Sequence, residues 1–162
     1  MAKGHDHHWV TERIALGSAV VTKEHVQALV ADGITHVLDC RLAEGGQTLY
    51  EGTPIRYLAN PTAHDGKPKP EEWFKKGIGF VLTALAVPKA RVLIHCMLGV
   101  SRSPSMTYAV LRSLGHAPDD AVKLIKKARL LAGVRYREDA DRAISAIEQK
   151  RTAALRGVPR RR

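Results

Sequence analysis

Only two cysteines, Cys40 and Cys96, occur in 162 residues, which excludes a scaffold built on disulfides. Aromatic residues are scarce at 5%, and none is interleaved with basic residues as on a nucleic-acid-binding surface. Long apolar runs are missing. The longest, Ile78 to Val87, is interrupted by Gly79 and Thr83 and is too short to cross a bilayer. The stretch Met1 to His8 has no apolar core, so no signal peptide is expected. Repeats and low-complexity tracts are also lacking. Acidic residues are in deficit, 16 against 26 Lys and Arg, for a formal charge of +10. A chain of this length reads as one domain over residues 1–155 with a core of its own. Six basic residues crowd the last thirteen positions, and the segment 156–162 reads as a disordered basic tail. The expectation is a soluble monomer in the cytoplasm, or in the nucleus of a eukaryote. It would have no membrane span and no specific nucleic acid, and its charge would attract acidic partners. His5, His7 and His8 are weak metal ligands at best and read as part of a mobile N-terminal arm.

Strand-like apolar segments fall near 13–16, 35–39, 55–59 and 91–95. Helical stripes lie between and after them. Val26, Leu29 and Val30 end at Gly33, and Phe74, Ile78, Val81, Leu82 and Leu85 end at Pro88. Met106, Val110 and Leu114 precede Gly115; Val122, Leu124 and Ile125 follow Pro118; Ala140, Ala143, Ile144 and Ile147 come last. These stripes, with Trp73, read as packing. The order predicts an α/β fold with a central, mostly parallel sheet of about four to five strands flanked by helices, its active loops at the C-terminal strand edge.

The densest chemistry is at residues 95–103, His-Cys-Met-Leu-Gly-Val-Ser-Arg-Ser. Arg91-Val92-Leu93-Ile94 before it reads as a buried strand. Pro104 after it sits in the first turn of a helix, where a missing N–H costs nothing. Cys96 therefore stands on a turn at a helix N-terminus, where free N–H groups and the helix dipole favour an oxyanion and a thiolate. Gly99 permits a tight bend, and Met97, Leu98, Val100 and Ser101 complete a curl around one phosphate. Arg102 grips two phosphate oxygens with its planar fork. Ser103 donates to the sulfur, and His95 orients the loop. This set suits phosphoryl transfer through a cysteinyl-phosphate. The competing reading is a buried cysteine at a strand end beside a solvent-facing arginine.

The run resembles the signature of the cysteine-dependent protein tyrosine phosphatase superfamily, and within it the small dual-specificity phosphatase class. Trp9 to Ser18 resembles the opening strand of that class, and Gly33 to Asp39 its next helix-to-strand passage. The resemblance is strongest over residues 9–115. Gly133-Val134-Arg135-Tyr136-Arg137 departs from the Pro-Asn pattern of many members, which leaves the C-terminal helices outside it.

The resemblance implies a general acid on a loop about thirty residues before the nucleophile. Asp65, in Ala63-His64-Asp65-Gly66-Lys67-Pro68-Lys69-Pro70, stands thirty-one residues before Cys96. By its residues alone, Asp65 reads equally as the polar residue of a turn. Asp39 is the second choice for the acid and His64 the third. The scheme requires no metal and no cofactor. The uncharged loop interior favours a phosphoprotein over a phosphoinositide, and the short chain implies a shallow site open to phosphoserine and phosphothreonine as well as phosphotyrosine. Phosphatases of RNA 5′-phosphate or carbohydrate, a silent phosphate-binding module and a sulfurtransferase are the alternatives. Some relatives pair a cysteine placed like Cys40 with the nucleophile under oxidation, so Cys40 is the implied redox partner of Cys96. Packing as a small apolar group is its other reading.

Overall fold

Strands buried between helices must be apolar on both faces, and the central strands of this chain are. The computed structural model describes residues 4–157. Strands β1 (His7–Trp9), β2 (Ile14–Gly17), β3 (His36–Asp39), β4 (Arg56–Ala59) and β5 (Val92–His95) form one sheet in the order β1-β2-β5-β3-β4. β1 is antiparallel to β2; the other pairs are parallel, as the α/β reading predicted.

Period-two alternation sorts the strand side chains. Ile14, Leu16, Leu38, Val92 and Ile94 share one core with α2 (Glu71–Leu85), α3 (Arg102–Ser113), α4 (Pro118–Ala128) and α5 (Arg137–Arg156). Ala15, Val37 and Leu93 face the other way, against α1 (Lys23–Ala31) and a 3₁₀ turn at Gly46–Tyr50. The same parity carries Cys40 and Cys96, each two residues beyond the paired Leu38 and Ile94, into the first core.

The helix ends have local causes. Thr22 caps α1 by accepting from the His25 N–H, and Gly33 ends it at φ 79°. Pro118 opens α4, with Asp119 and Asp120 in its first turn and Lys126 and Lys127 in its last, matching the helix dipole. Trp73 packs as expected and is clamped: its Nε1 donates to the Asn60 carbonyl at 2.8 Å while Asn60 Nδ2 donates to the Trp73 carbonyl at 2.9 Å.

Two expectations change. The N-terminal arm is not free. His7–Trp9 pairs with Gly17–Ala15 because Gly17 has no side chain to block it; a Cβ there would meet His7 Cβ at 2.8 Å. Val30 and Leu114, both read as packing, are 38% and 45% exposed, since the short α1 packs along one face only and Leu114 caps the end of α3. The C-terminal third, outside the resemblance, folds into α4 and α5 against the first core. α5 runs to Arg156; residues 158–162 of the basic tail lie outside the described residues. Among the described residues no helix is long and apolar enough to cross a membrane.

Candidate active site

A trans peptide unit points its C=O and N–H in opposite directions, so binding the carbonyl on one side aims the amide at the other. The loop after β5 uses this five times in succession. The Cys96 carbonyl lies 3.1 Å from His95 Nδ1. Met97 O accepts the Ala19 N–H at 2.9 Å, and Val100 O accepts the Gly133 N–H at 2.8 Å. Leu98 O and Gly99 O accept Arg129 Nη2 and Nε at 2.7 and 3.1 Å. With every carbonyl from 96 to 100 held by a donor, the amides of residues 97–101 turn to the opposite side of the loop, an arrangement that can cradle an anion. Gly99, at φ 68°, makes the bend. A side chain there would strike the Gly17 carbonyl at 2.6 Å and Arg129 Nε at 2.9 Å.

Cys96 forms the floor, with Sγ 3.1 Å from Ser103 Oγ. Burial alone would push this thiol up. The Ser103 hydroxyl, the Ser103 and Gly99 N–H groups and the Arg102 charge outweigh burial and bring it below the ordinary thiol range. Arg102 is buried at the first turn of α3. Its Nη1 donates to the Thr62 carbonyl at 3.0 Å, while its buried Nε donates to no atom among the described residues. A donor in that state beside these five amides suits an anion. The pocket above the sulfur is about 230 Å³ and is lined by His64, Cys96, Met97, Leu98, Val100, Ser101 and Arg102.

His95 is fully buried, and burial lowers its basicity. A carbonyl only accepts, so Nδ1 carries the proton given to Cys96 O. Nε2 faces Asp39 Oδ1 at 3.8 Å without a hydrogen bond. Asp39, the second-choice acid, is not placed to donate a proton. Burial opposes its charge, but Arg41 grips it with two nitrogens and Tyr57 donates to it at 2.7 Å, so its carboxyl stays low.

Asp65 is on the exposed loop the sequence indicated, but it is absent from the pocket wall. Its Oδ1 accepts Lys69 Nζ at 2.8 Å and the Lys67 N–H at 3.0 Å, and these bonds lower its carboxyl. Its neighbour His64 does line the pocket, with Nδ1 3.4 Å from Ser101 Oγ. Lys69 is itself buried; its Nζ also donates to the Ala63 carbonyl and lies 4.9 Å from the Tyr136 ring centre. Cys40 is buried beside Cys96. Burial first, then the charge of Cys96, push its thiol well up, and both cysteines are free.

The sequence reading missed Arg129, Asp6, Lys69 and Gly133. Arg129 braces the cradle, Asp6 holds Arg129 at 2.8 and 2.7 Å, and Lys69 fixes the Asp65 loop. Arg129, Asp6 and Gly133 act across the fold, so no local pattern marks them; Lys69 stands only four residues from Asp65, but a lysine in a proline-rich loop does not announce that pairing.

Residues 15–150 match the dual specificity phosphatase catalytic domain. The human protein named dual specificity protein phosphatase 26 is 33% identical over 121 residues, covering 73% of this chain and 56% of the relative. The chain thus spans little more than half the length of that relative. Among solved structures, PTPMT1 aligns with a TM-score of 0.78 at 20% identity over 91% of this chain and 99% of the other. DUSP15 aligns with a TM-score of 0.75 at 22% identity over 98% and 100%. These likenesses show the fold.

Proposed function

As the chain belongs to the dual specificity phosphatase catalytic-domain family, we propose that it hydrolyses phosphotyrosine, and phosphoserine and phosphothreonine, in phosphoproteins through a cysteinyl-phosphate. One observation carries this reading: a buried thiol drawn toward thiolate on the floor of a backbone amide cradle. In the first step Cys96 Sγ bonds to phosphorus, the P–O ester bond breaks, and Asp65 gives its proton to the leaving oxygen. In the second, a water oxygen attacks phosphorus and gives its proton to the Asp65 carboxylate. The S–P bond breaks, and the Ser103 hydroxyl receives the departing thiolate. Arg102 and the amides of residues 97–102 hold the equatorial oxygens through both steps. Asp65 reaches the leaving group after exchanging Lys69 for the substrate, a loop movement of a kind common in enzymes. His95, through the Cys96 carbonyl, keeps the cradle oriented.

The proposed residues all come from one chain, which is consistent with a monomer. A thiolate mechanism needs a reducing compartment, which fits the cytoplasm. The charge of +10 suits acidic phosphoprotein partners. The test is turnover of an aryl phosphate and of phosphotyrosine and phosphothreonine peptides. Wild type should cleave all three, Cys96→Ser none, and Asp65→Ala should lose about 10²–10⁴-fold. Full activity in Cys96→Ser would overturn the mechanism, and turnover of phosphotyrosine alone would remove the dual specificity.

A further inference from the structure

The tip of a β-turn is ordinarily built from Gly, Pro, Asn, Asp or Ser, which suit its backbone and its exposure to water. The turn Arg129–Ala132, closed by the Ala132 N–H donating to the Arg129 carbonyl at 2.9 Å, carries Leu130 and Leu131 there instead. These two residues are 84% and 79% exposed, while Ala132 beside them is fully buried. The turn is pinned to the catalytic loop at both ends. Arg129 donates to the Leu98 and Gly99 carbonyls, and the Gly133 N–H donates to the Val100 carbonyl. Two leucines are thus held in water at a fixed place beside the loop that carries Cys96.

They border a groove of about 650 Å³ whose apolar lining is Leu98, Val100, Ala128, Leu130 and Leu131. Leu98 and Val100 also line the pocket above the Cys96 sulfur, so the groove and the catalytic pocket share a wall. Lys127 gives the groove a positive charge, since Asp6 pairs with Arg129. On an extended peptide, residues two apart project from the same face, roughly 7 Å from each other. With a phosphorylated residue in the catalytic pocket, the side chain two positions away is directed at the groove.

We propose that this groove is a substrate subsite, and that it takes a large aliphatic or aromatic side chain two residues from the phosphorylated one in an acidic phosphopeptide. The inference rests on the phosphatase reading above and says which phosphoproteins that site prefers. A bilayer is the rival occupant of exposed leucines among basic residues. It would touch convex ground, whereas Leu130 and Leu131 wall a hollow that meets the catalytic pocket. Partial burial of such a side chain against the apolar lining changes affinity about tenfold. The contact is remote from the reacting atoms and is made equally in ground and transition states, so it acts on KM and not on kcat.

The test compares two phosphotyrosine peptides that differ only at the positions two before and two after the phosphotyrosine, leucine in one and serine in the other. An aryl phosphate, too small to reach the groove, is the third substrate. For wild type, kcat/KM should favour the leucine peptide about tenfold through KM, with kcat unchanged, and the same ratio should appear in Kd for Cys96→Ser. In the double variant Leu130→Ser, Leu131→Ser the ratio should fall to near one. In Leu155→Ser, an exposed leucine outside both cavities, it should persist. Wild type that cleaves the aryl phosphate but does not distinguish the peptides overturns the subsite and leaves the phosphatase reading standing. Wild type that cleaves nothing, while Cys96→Ser still binds the leucine peptide better, overturns the phosphatase reading and leaves the subsite standing. A preference kept by the double variant overturns the assignment to this groove. Sedimentation with phosphatidylserine vesicles that the double variant loses, without any peptide preference, overturns it in favour of a bilayer.

Discussion

Asp6 and Arg129, 123 residues apart, form a two-armed ion pair, and the same guanidinium holds the Leu98 and Gly99 carbonyls. The N-terminal segment is thereby connected to the anion cradle through one side chain. Arg129→Met should free two peptide units to rotate, weakening orthovanadate binding and raising the pH at which iodoacetate alkylates Cys96. Losing one aligned oxyanion donor costs about 10²–10³-fold in turnover, which bounds the effect. Asp6→Asn should do the same more weakly. Arg129 holds the Asp6 carboxyl at about 2 against an ordinary 3.8. The folded value is the lower, so the pair stabilises the fold fully above the ordinary value, and that contribution is lost as pH falls through about 2.

Ser103→Ala removes the hydroxyl 3.1 Å from the Cys96 sulfur. A hydrogen bond to a charged group contributes about 1.5–3 kcal/mol, so the pH at which the thiol ionises should rise and turnover should fall about ten- to a hundredfold. Single-turnover kinetics should show cysteinyl-phosphate accumulating, since the departing thiolate has lost its donor.

Lys69 holds the Asp65 carboxyl low, and a general acid must be protonated when its step begins. The falling limb of kcat/KM against pH should therefore move to higher pH in Lys69→Met, because the acid then keeps its proton further up the scale. Asp65→Asn should abolish that limb. A limb unmoved by Lys69→Met but displaced in His64→Asn assigns the proton to His64, the residue on the pocket wall.

Cys40 and Cys96 continue adjacent parallel strands on one face of the sheet. Peroxide should convert the Cys96 thiolate to a sulfenic acid, and the Cys40 thiol should then displace water to form a disulfide. Intact mass should fall by two hydrogens in wild type. In Cys40→Ser it should instead rise by added oxygen, with activity no longer restored by a thiol reductant.

Trp73 and Asn60 exchange hydrogen bonds beneath the acid loop. Trp73→Ala should lower stability by about 3–5 kcal/mol in a urea titration. Asn60→Ala should lower it by about 1–3 kcal/mol, since the Trp73 carbonyl is left buried without its donor.

Features encoded over a few residues were readable in the sequence. Val92 to His95 announce a buried strand, Gly99 a bend, Pro104 a helix start, and the spacing of Cys96 and Arg102 is local to that turn. β1 was not readable, because His-His-Trp is a strand only through backbone pairing with a glycine whose neighbourhood the sequence does not announce. Asp65 was readable as a loop residue but not as the partner of Lys69. A lysine between two prolines says nothing of the buried slot against Tyr136 that holds it. Arg129 follows two lysines at the end of an amphipathic helix, where a solvated cation is the default reading.

The five carbonyls of the cradle find their donors at His95, Ala19, Arg129 and Gly133, contributed by the neighbouring strand end and by loops from both ends of the fold. A peptide of residues 95–103 would have no anion site, and neither would a chain whose C-terminal helices had come undone. Vanadate uptake therefore counts completely folded molecules, and its loss during denaturation should coincide with the first detachment of α4 rather than with melting of the sheet.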